Sequence, residues 1–179
     1  MARRAVARGW QVVGCARRAE RLAALATELG PAFQGCAADV TDAAALERVV
    51  AQAAVAGPLD AVVANAGRGL HGPLLDCSDA DLTALLDVNL VGVHRTVRVA
   101  LPHLVADGRI VIVSSICSHI SVPRMGAYCA SKHALDAYAV ALRLELAGRA
   151  RVVSVHPATT ATAFFASAPA VGDGWQLRP

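Results

Sequence analysis

Short runs of strand-forming residues alternate with longer helical stretches along almost the whole chain, and nothing else in the sequence constrains the fold as tightly. The strand-like runs are residues 10–15 (WQVVGC), 32–37, 59–64 (LDAVVA), 109–114 (RIVIVS) and 151–155 (RVVSV). Their apolar residues are mostly consecutive rather than alternating, the pattern of strands covered on both faces. Residues 19–29, 42–55, 78–105 and 126–147 carry helical periodicity. Thr41 and Ser78 suit helix starts, where a side-chain oxygen can accept from the free N–H groups of the first turn. Gly30 and Gly148 suit helix ends. Strand–helix–strand alternation at this spacing predicts right-handed βαβ units and a parallel α/β sheet. Residues 1–179 read as a single domain, with no repeat or linker. The stretch after Pro157 reads as loop with at most one short helix.

Composition narrows the function. The chain is 55% hydrophobic and only 17% charged, which suits a packed core and argues against disorder. A net charge of +3 from scattered arginines gives no basic stripe, so no nucleic-acid partner is expected. No run of eighteen apolar residues exists, so no membrane partner is expected either. The five cysteines (Cys15, Cys36, Cys77, Cys117 and Cys129) form no C-x-x-C pair. They read as free thiols of a reducing, cytoplasmic compartment, and their spacing offers no zinc site; no metal is expected. The acid-free, Arg-rich residues 1–8 run straight into a strand, which suits the back half of a helix better than a transit peptide.

One lysine stands among sixteen arginines, and it lies four residues after a tyrosine: Lys132 follows Tyr128. On a helix that spacing puts both side chains on one face. A free phenol titrates near pH 10, so it is a poor acid at neutral pH unless its charged form is stabilised, and a neighbouring ammonium does that. Ser115 precedes Tyr128 by thirteen residues and follows a strand end, the usual place for function in an open α/β sheet. Its hydroxyl could donate to the same substrate oxygen that the phenol protonates.

The run V-S-S-x12-Y-C-A-S-K resembles the active site of the short-chain dehydrogenase/reductase family. Asn65-Ala66-Gly67 is similar to the family's N-A-G turn, Asn89 in D-V-N-L to its proton-relay asparagine, and Asp39-Val40 to its adenine-contacting pair. His156-Pro157-Ala158, with Thr160 and Thr162, resembles the family's stretch beside the nicotinamide, with Ala158 in place of a glycine. The resemblance runs from about Arg3 to Thr162. It implies a Rossmann-type doubly wound sheet and reversible hydride transfer between a nicotinamide dinucleotide and a carbonyl or secondary alcohol. Tyr128 would be the general acid/base, Lys132 would lower its pKa and hold the ribose, Ser115 would polarise the carbonyl, and Asn89 would relay the proton. The family also implies a homodimer or homotetramer, through residues 78–105 and 126–147. Read without the family, Asp39 is equally a turn residue and His156 a strand-end histidine with no catalytic duty.

Arg17 and Arg18 follow the first strand-like run, where an acidic residue would select NAD(H). Cations oppose the helix dipole there, but a 2′-phosphate would welcome them, so NADP(H) is preferred and NAD(H) remains possible. The phosphate loop itself is missing. The one G-x-G-x-x-G match, residues 67–72, is followed by Pro73 and not by a helix start. The fold is therefore expected to be incomplete, without the first strand and its glycine-rich loop and without the last strand. In the 3-2-1-4-5-6 order this leaves a gap in the middle of the sheet with two unpaired edges. Two other classes stay open: a non-catalytic remnant of the same fold, and a sugar-nucleotide epimerase or dehydratase, which also uses Tyr-x-x-x-Lys.

Overall fold

The computed structural model describes residues 1–158, 164 and 168–172. A short helix α1 (Ala2–Val6) leads into strand β1 (Val12–Ala16), helix α2 (Ala19–Leu29) and strand β2 (Phe33–Ala37). Helix α3 (Ala43–Ala53) and strand β3 (Leu59–Ala64) follow. Helices α4 (Asp79–Leu86) and α5 (Gly92–Ala100) precede strand β4 (Leu104–Val113), and helix α6 (Gly126–Glu145) precedes strand β5 (Ala150–Val155). Every strand pairing is parallel. This is the α/β architecture that the alternation predicts.

The strands form two sheets, β1–β2 and β3–β4–β5, with no ladder between them among the described residues. The expected break in the sheet is therefore observed. Helix α3 packs on both β1 and α5, and so ties the smaller sheet to the larger. Within the smaller sheet, Gly35 lets α2 approach: a Cβ there would meet Leu22 Cβ at 2.7 Å.

The main core lies on one face of the larger sheet. Ile110 and Ile112 of β4 and Val152 of β5 pack with Val93 and Val97 of α5 and Leu135 and Ala139 of α6. Burying a side chain of this size contributes about 1.5–3 kcal/mol. The sequence reading expects cover on both faces, and here the structure differs. Val63, Val153 and Val155 are 42–46% exposed, because no described helix packs over that face. Consecutive β-branched residues mark a strand, but they do not ensure that a second layer is present.

Two local expectations also change. Residues 78–105 are not one helix. A π-helical turn, Asp87–Val91, separates α4 from α5, a 3-10 turn containing Pro102 ends α5, and Leu104 already belongs to β4. The cap of α3 is Asp42, whose carboxylate accepts from Ala45 N at 3.0 Å, and not Thr41. Thr41 instead donates its own N–H to Asp39 Oδ1 in a tight turn (3.0 Å). Ser78 caps α4 as expected, accepting from Asp81 N. Gly30 sits at the end of α2 with φ 64, a conformation that glycine adopts without strain.

Candidate active site

Because all the strands run parallel, their C-terminal ends lie along common edges, and the segments that follow them carry the candidate residues. After β4 the chain turns at Ser114 and Ser115, both buried. Ser115 Oγ accepts from Cys117 N at 3.2 Å, which starts a 3-10 turn, Ile116–Ser118. Tyr128 and Lys132 point inward from the first two turns of α6, each 4% exposed. The Ser115 hydroxyl is close enough to the Tyr128 phenol to favour its charged form. The Lys132 ammonium lies 5.9 Å from the centre of the Tyr128 ring and donates to Val113 O at 3.1 Å. Serine, tyrosine and lysine thus share one buried site, with Phe164 packed against the tyrosine at 6.0 Å between ring centres.

Burial sets the electrostatics. It pulls the Lys132 ammonium down to about 8, against weaker support from Asp136 and Cys117. Burial also pushes the Tyr128 phenol above its ordinary value, and the nearby Ser115 hydroxyl only partly counters this. The expectation that Lys132 depresses this phenol is not met in the protein alone. The ammonium is committed to the Val113 carbonyl, and the cost of placing charge in a dry site dominates.

Asn89 lies on the π turn and is fully buried. An extra residue in the helical turn re-aims side chains, which is why π turns recur at functional sites. Its Oδ1 accepts from Arg68 N (2.8 Å), and its Nδ2 donates to Arg68 O (3.0 Å) and Ser131 Oγ (3.0 Å). Ser131 in turn donates to Tyr128 O at 2.7 Å. Asn89 thereby joins the Asn65-Ala66-Gly67 turn to the helix of Tyr128 and Lys132. Gly67 lies against the same groups: a Cβ there would make ordinary contacts, 3.4 Å to Asn89 Oδ1 and 3.9 Å to Lys132 Nζ. Asn65 and Ala66 are exposed beside the unpaired edge of β3.

The residues expected to hold a dinucleotide fall into two groups. Arg17 and Arg18 follow β1, and Arg17 Nε lies 3.9 Å from Asp39 Oδ2 after β2. Val40 packs under Gly92 at the start of α5, leaving room for no side chain there. Pro157 accepts from Ile116 N at 3.0 Å and so fixes the segment after β5 against the Ser115 turn. Thr160 and Thr162 lie outside the described residues. These two groups suit the two ends of a nicotinamide dinucleotide. Its pyrophosphate has no counterpart among the described residues: residues 67–72 form an irregular segment, followed by a 3-10 turn, Leu74–Asp76.

One cluster was not legible in the sequence. His119, Asp136 and His156 come from three separate segments, and their ligand-type atoms lie within 4.8 Å of one another. His156 Nε2 is 2.8 Å from Asp136 Oδ1, and His119 Nδ1 is 3.6 Å from Asp136 Oδ2. Separations of seventeen and twenty residues follow no helix or strand period, so only the fold could show it.

Comparison with known proteins agrees with this geometry. The sequence pattern of the short chain dehydrogenase family matches residues 1–170. Serine 3-dehydrogenase of Agrobacterium fabrum is 38% identical over 168 residues, an alignment that covers 91% of this chain and 67% of that protein. An alcohol dehydrogenase of the archaeon Thermococcus sibiricus, solved with 5-hydroxy-NADP, superposes with a TM-score of 0.85 at 28% identity, covering 94% of this chain and 76% of its own. A short chain dehydrogenase/reductase of Burkholderia phymatum, solved with NAD, gives 0.85 at 28% identity, covering 91% and 62%. With the Ser115, Tyr128 and Lys132 side chains gathered at the strand ends, this chain belongs to the short-chain dehydrogenase family of NAD(P)-dependent oxidoreductases.

Proposed function

We propose that this chain carries the acid–base half of a hydride-transfer site acting on a small carbonyl or secondary alcohol, with NADP(H) as the preferred cofactor and NAD(H) as the weaker one. The observation that carries the proposal is the burial of Ser115, Tyr128 and Lys132 together in one site, with the ammonium 5.9 Å from the centre of the phenol ring. When bound, the nicotinamide supplies or accepts the hydride. Tyr128 gives its phenolic proton to the substrate oxygen, and the Ser115 hydroxyl donates a second hydrogen bond to the same oxygen. Such positioned donors contribute about 10²–10⁴-fold to rate. Lys132 holds positive charge beneath the site and reaches for ribose hydroxyls. Asn89 keeps the N-A-G turn in place and begins the proton path from the lysine. Arg17 and Arg18 bind a 2′-phosphate, Asp39 and Val40 border the adenine, and Pro157, with Thr160 and Thr162, borders the nicotinamide.

A homodimer or homotetramer through α4, α5 and α6 suits this reading, since Leu82, Val140 and Leu144 leave apolar surface there, as does Val91 on the π turn. A cytoplasmic location suits it too; among the described residues no helix is long and apolar enough to cross a membrane. The break in the sheet favours a second reading, a fold that retains the catalytic side chains without turnover. NADPH fluorescence titration separates the two. Saturable binding, with turnover of a carbonyl panel that is lost in Tyr128→Phe while binding survives, supports the enzyme. Turnover retained by Tyr128→Phe removes the proposed acid, and no binding at all favours the second reading.

A further inference from the structure

We propose that His119, Asp136 and His156 form a binding site for a divalent transition metal, zinc being the best match. Two imidazoles and one carboxylate make a borderline-soft donor set that suits Zn²⁺ and its first-row neighbours. Metal–ligand bonds of about 2.0–2.2 Å put ligand atoms roughly 2.8–3.6 Å apart in octahedral or tetrahedral geometry. Taken from one carboxylate oxygen, Asp136 Oδ2, His156 Nε2 lies at 3.0 Å and His119 Nδ1 at 3.6 Å, from the middle to the upper end of that range. The imidazole rings lie 4.5 Å apart between centres and are tilted by 40°, and the three ligand-type atoms all lie within 4.8 Å of one another.

The surroundings support coordination. Asp136 and His156 are mostly covered, with side chains 18% and 27% exposed, while His119 is 54% exposed and leaves an open side for water or an exogenous ligand. Burial pushes the Asp136 carboxyl up, but the His156 contact at 2.8 Å and the nearby Ser118 and Ser114 hydroxyls outweigh it and favour the carboxylate. Ser114 Oγ is buried without a hydrogen-bond partner, so it is free to support the carboxylate from behind, as outer partners of metal ligands do. Three elements meet here: the turn after Ser115, the helix of Tyr128 and Lys132, and the end of β5. A bound ion would pin all three around the catalytic side chains, one helical turn beyond Lys132.

The test uses the untagged 179-residue chain, titrated with Co²⁺ at pH 7.5 and followed by visible absorption, then competed with Zn²⁺. One saturable site is expected, with ligand-field bands that Zn²⁺ abolishes and a Tm that rises with Zn²⁺ and falls back with EDTA. His119→Ala should weaken binding by more than about 100-fold, because loss of an outer partner alone costs 10–100-fold. Asp136→Asn should do the same, and His103→Ala, remote from the cluster, should change nothing. The half-exposed His119 side chain makes His119→Ala safe for folding, so this variant decides even if Asp136→Asn does not fold. No saturable binding below about 1 mM, or unchanged binding by His119→Ala, overturns the proposal.

Discussion

Lys132 is held charged in a place that resists charge, and replacing it by methionine isolates that cost. The ammonium falls from its ordinary 10.5 to about 8 on folding. The difference, about 2.5 units at about 1.4 kcal/mol each, amounts to roughly 3 kcal/mol by which folding disfavours the protonated lysine. At pH 7 both folded and unfolded chains carry the proton, so the whole cost is present and the slope with pH is near zero. Between pH 8 and 10.5 the unfolded chain holds more protons than the folded one, so stability rises with pH. From pH 7 to 9.5 this lysine should add about 2 kcal/mol to the unfolding free energy of the wild type, and nothing to that of Lys132→Met. At pH 7 the variant gains the relief of about 3 kcal/mol but leaves Val113 O without its donor, a loss of about 1–3 kcal/mol, so it should be unchanged or somewhat more stable. Urea unfolding of both proteins at pH 7.0, 8.0 and 9.5 reads the difference directly, with Tyr128 and every other titrating group common to both. If the two curves keep a constant separation across that range, Lys132 is not the depressed base described here.

Three further outcomes follow from named contacts. Asn89→Ala removes three hydrogen bonds and leaves the Arg68 N–H without its acceptor, so urea unfolding should show a loss of about 2–4 kcal/mol; a loss under 0.5 kcal/mol would mean that the clamp carries little. Leu135→Ala empties a fully buried position between α6 and the sheet and should cost about 2–5 kcal/mol in the same measurement. Replacing both Arg17 and Arg18 by alanine should weaken NADPH binding about 10²–10⁴-fold while NADH binding changes little, since each charge-assisted hydrogen bond is worth about 1.5–3 kcal/mol; equal losses for both cofactors would detach these arginines from the 2′-phosphate.

Much of the fold was legible because its signals are local. Helix 19–29 and strand 59–64 were placed to the residue, since an apolar period, a glycine stop and a β-branched run act within a few residues. The Ser78 cap and the shared face of Tyr128 and Lys132 are local geometry of the same kind. The π turn at Asn89 was not legible. It depends on how Asn89 meets Arg68 and Ser131, twenty-one and forty-two residues away. The expected break in the sheet needed only strand order and a missing strand, and the structure shows the same two-part sheet.

Sequence alone determined the kind of protein this is, because strand, helix, cap and i-to-i+4 spacing are set by neighbours along the chain. Tertiary structure decided the electrical state of the site: a lysine drawn down to about 8, and a phenol raised where the sequence implied lowering. It also decided which distant side chains meet, as His119, Asp136 and His156 do. Both depend on desolvation and on contacts between remote segments, and these come into being only when the chain packs.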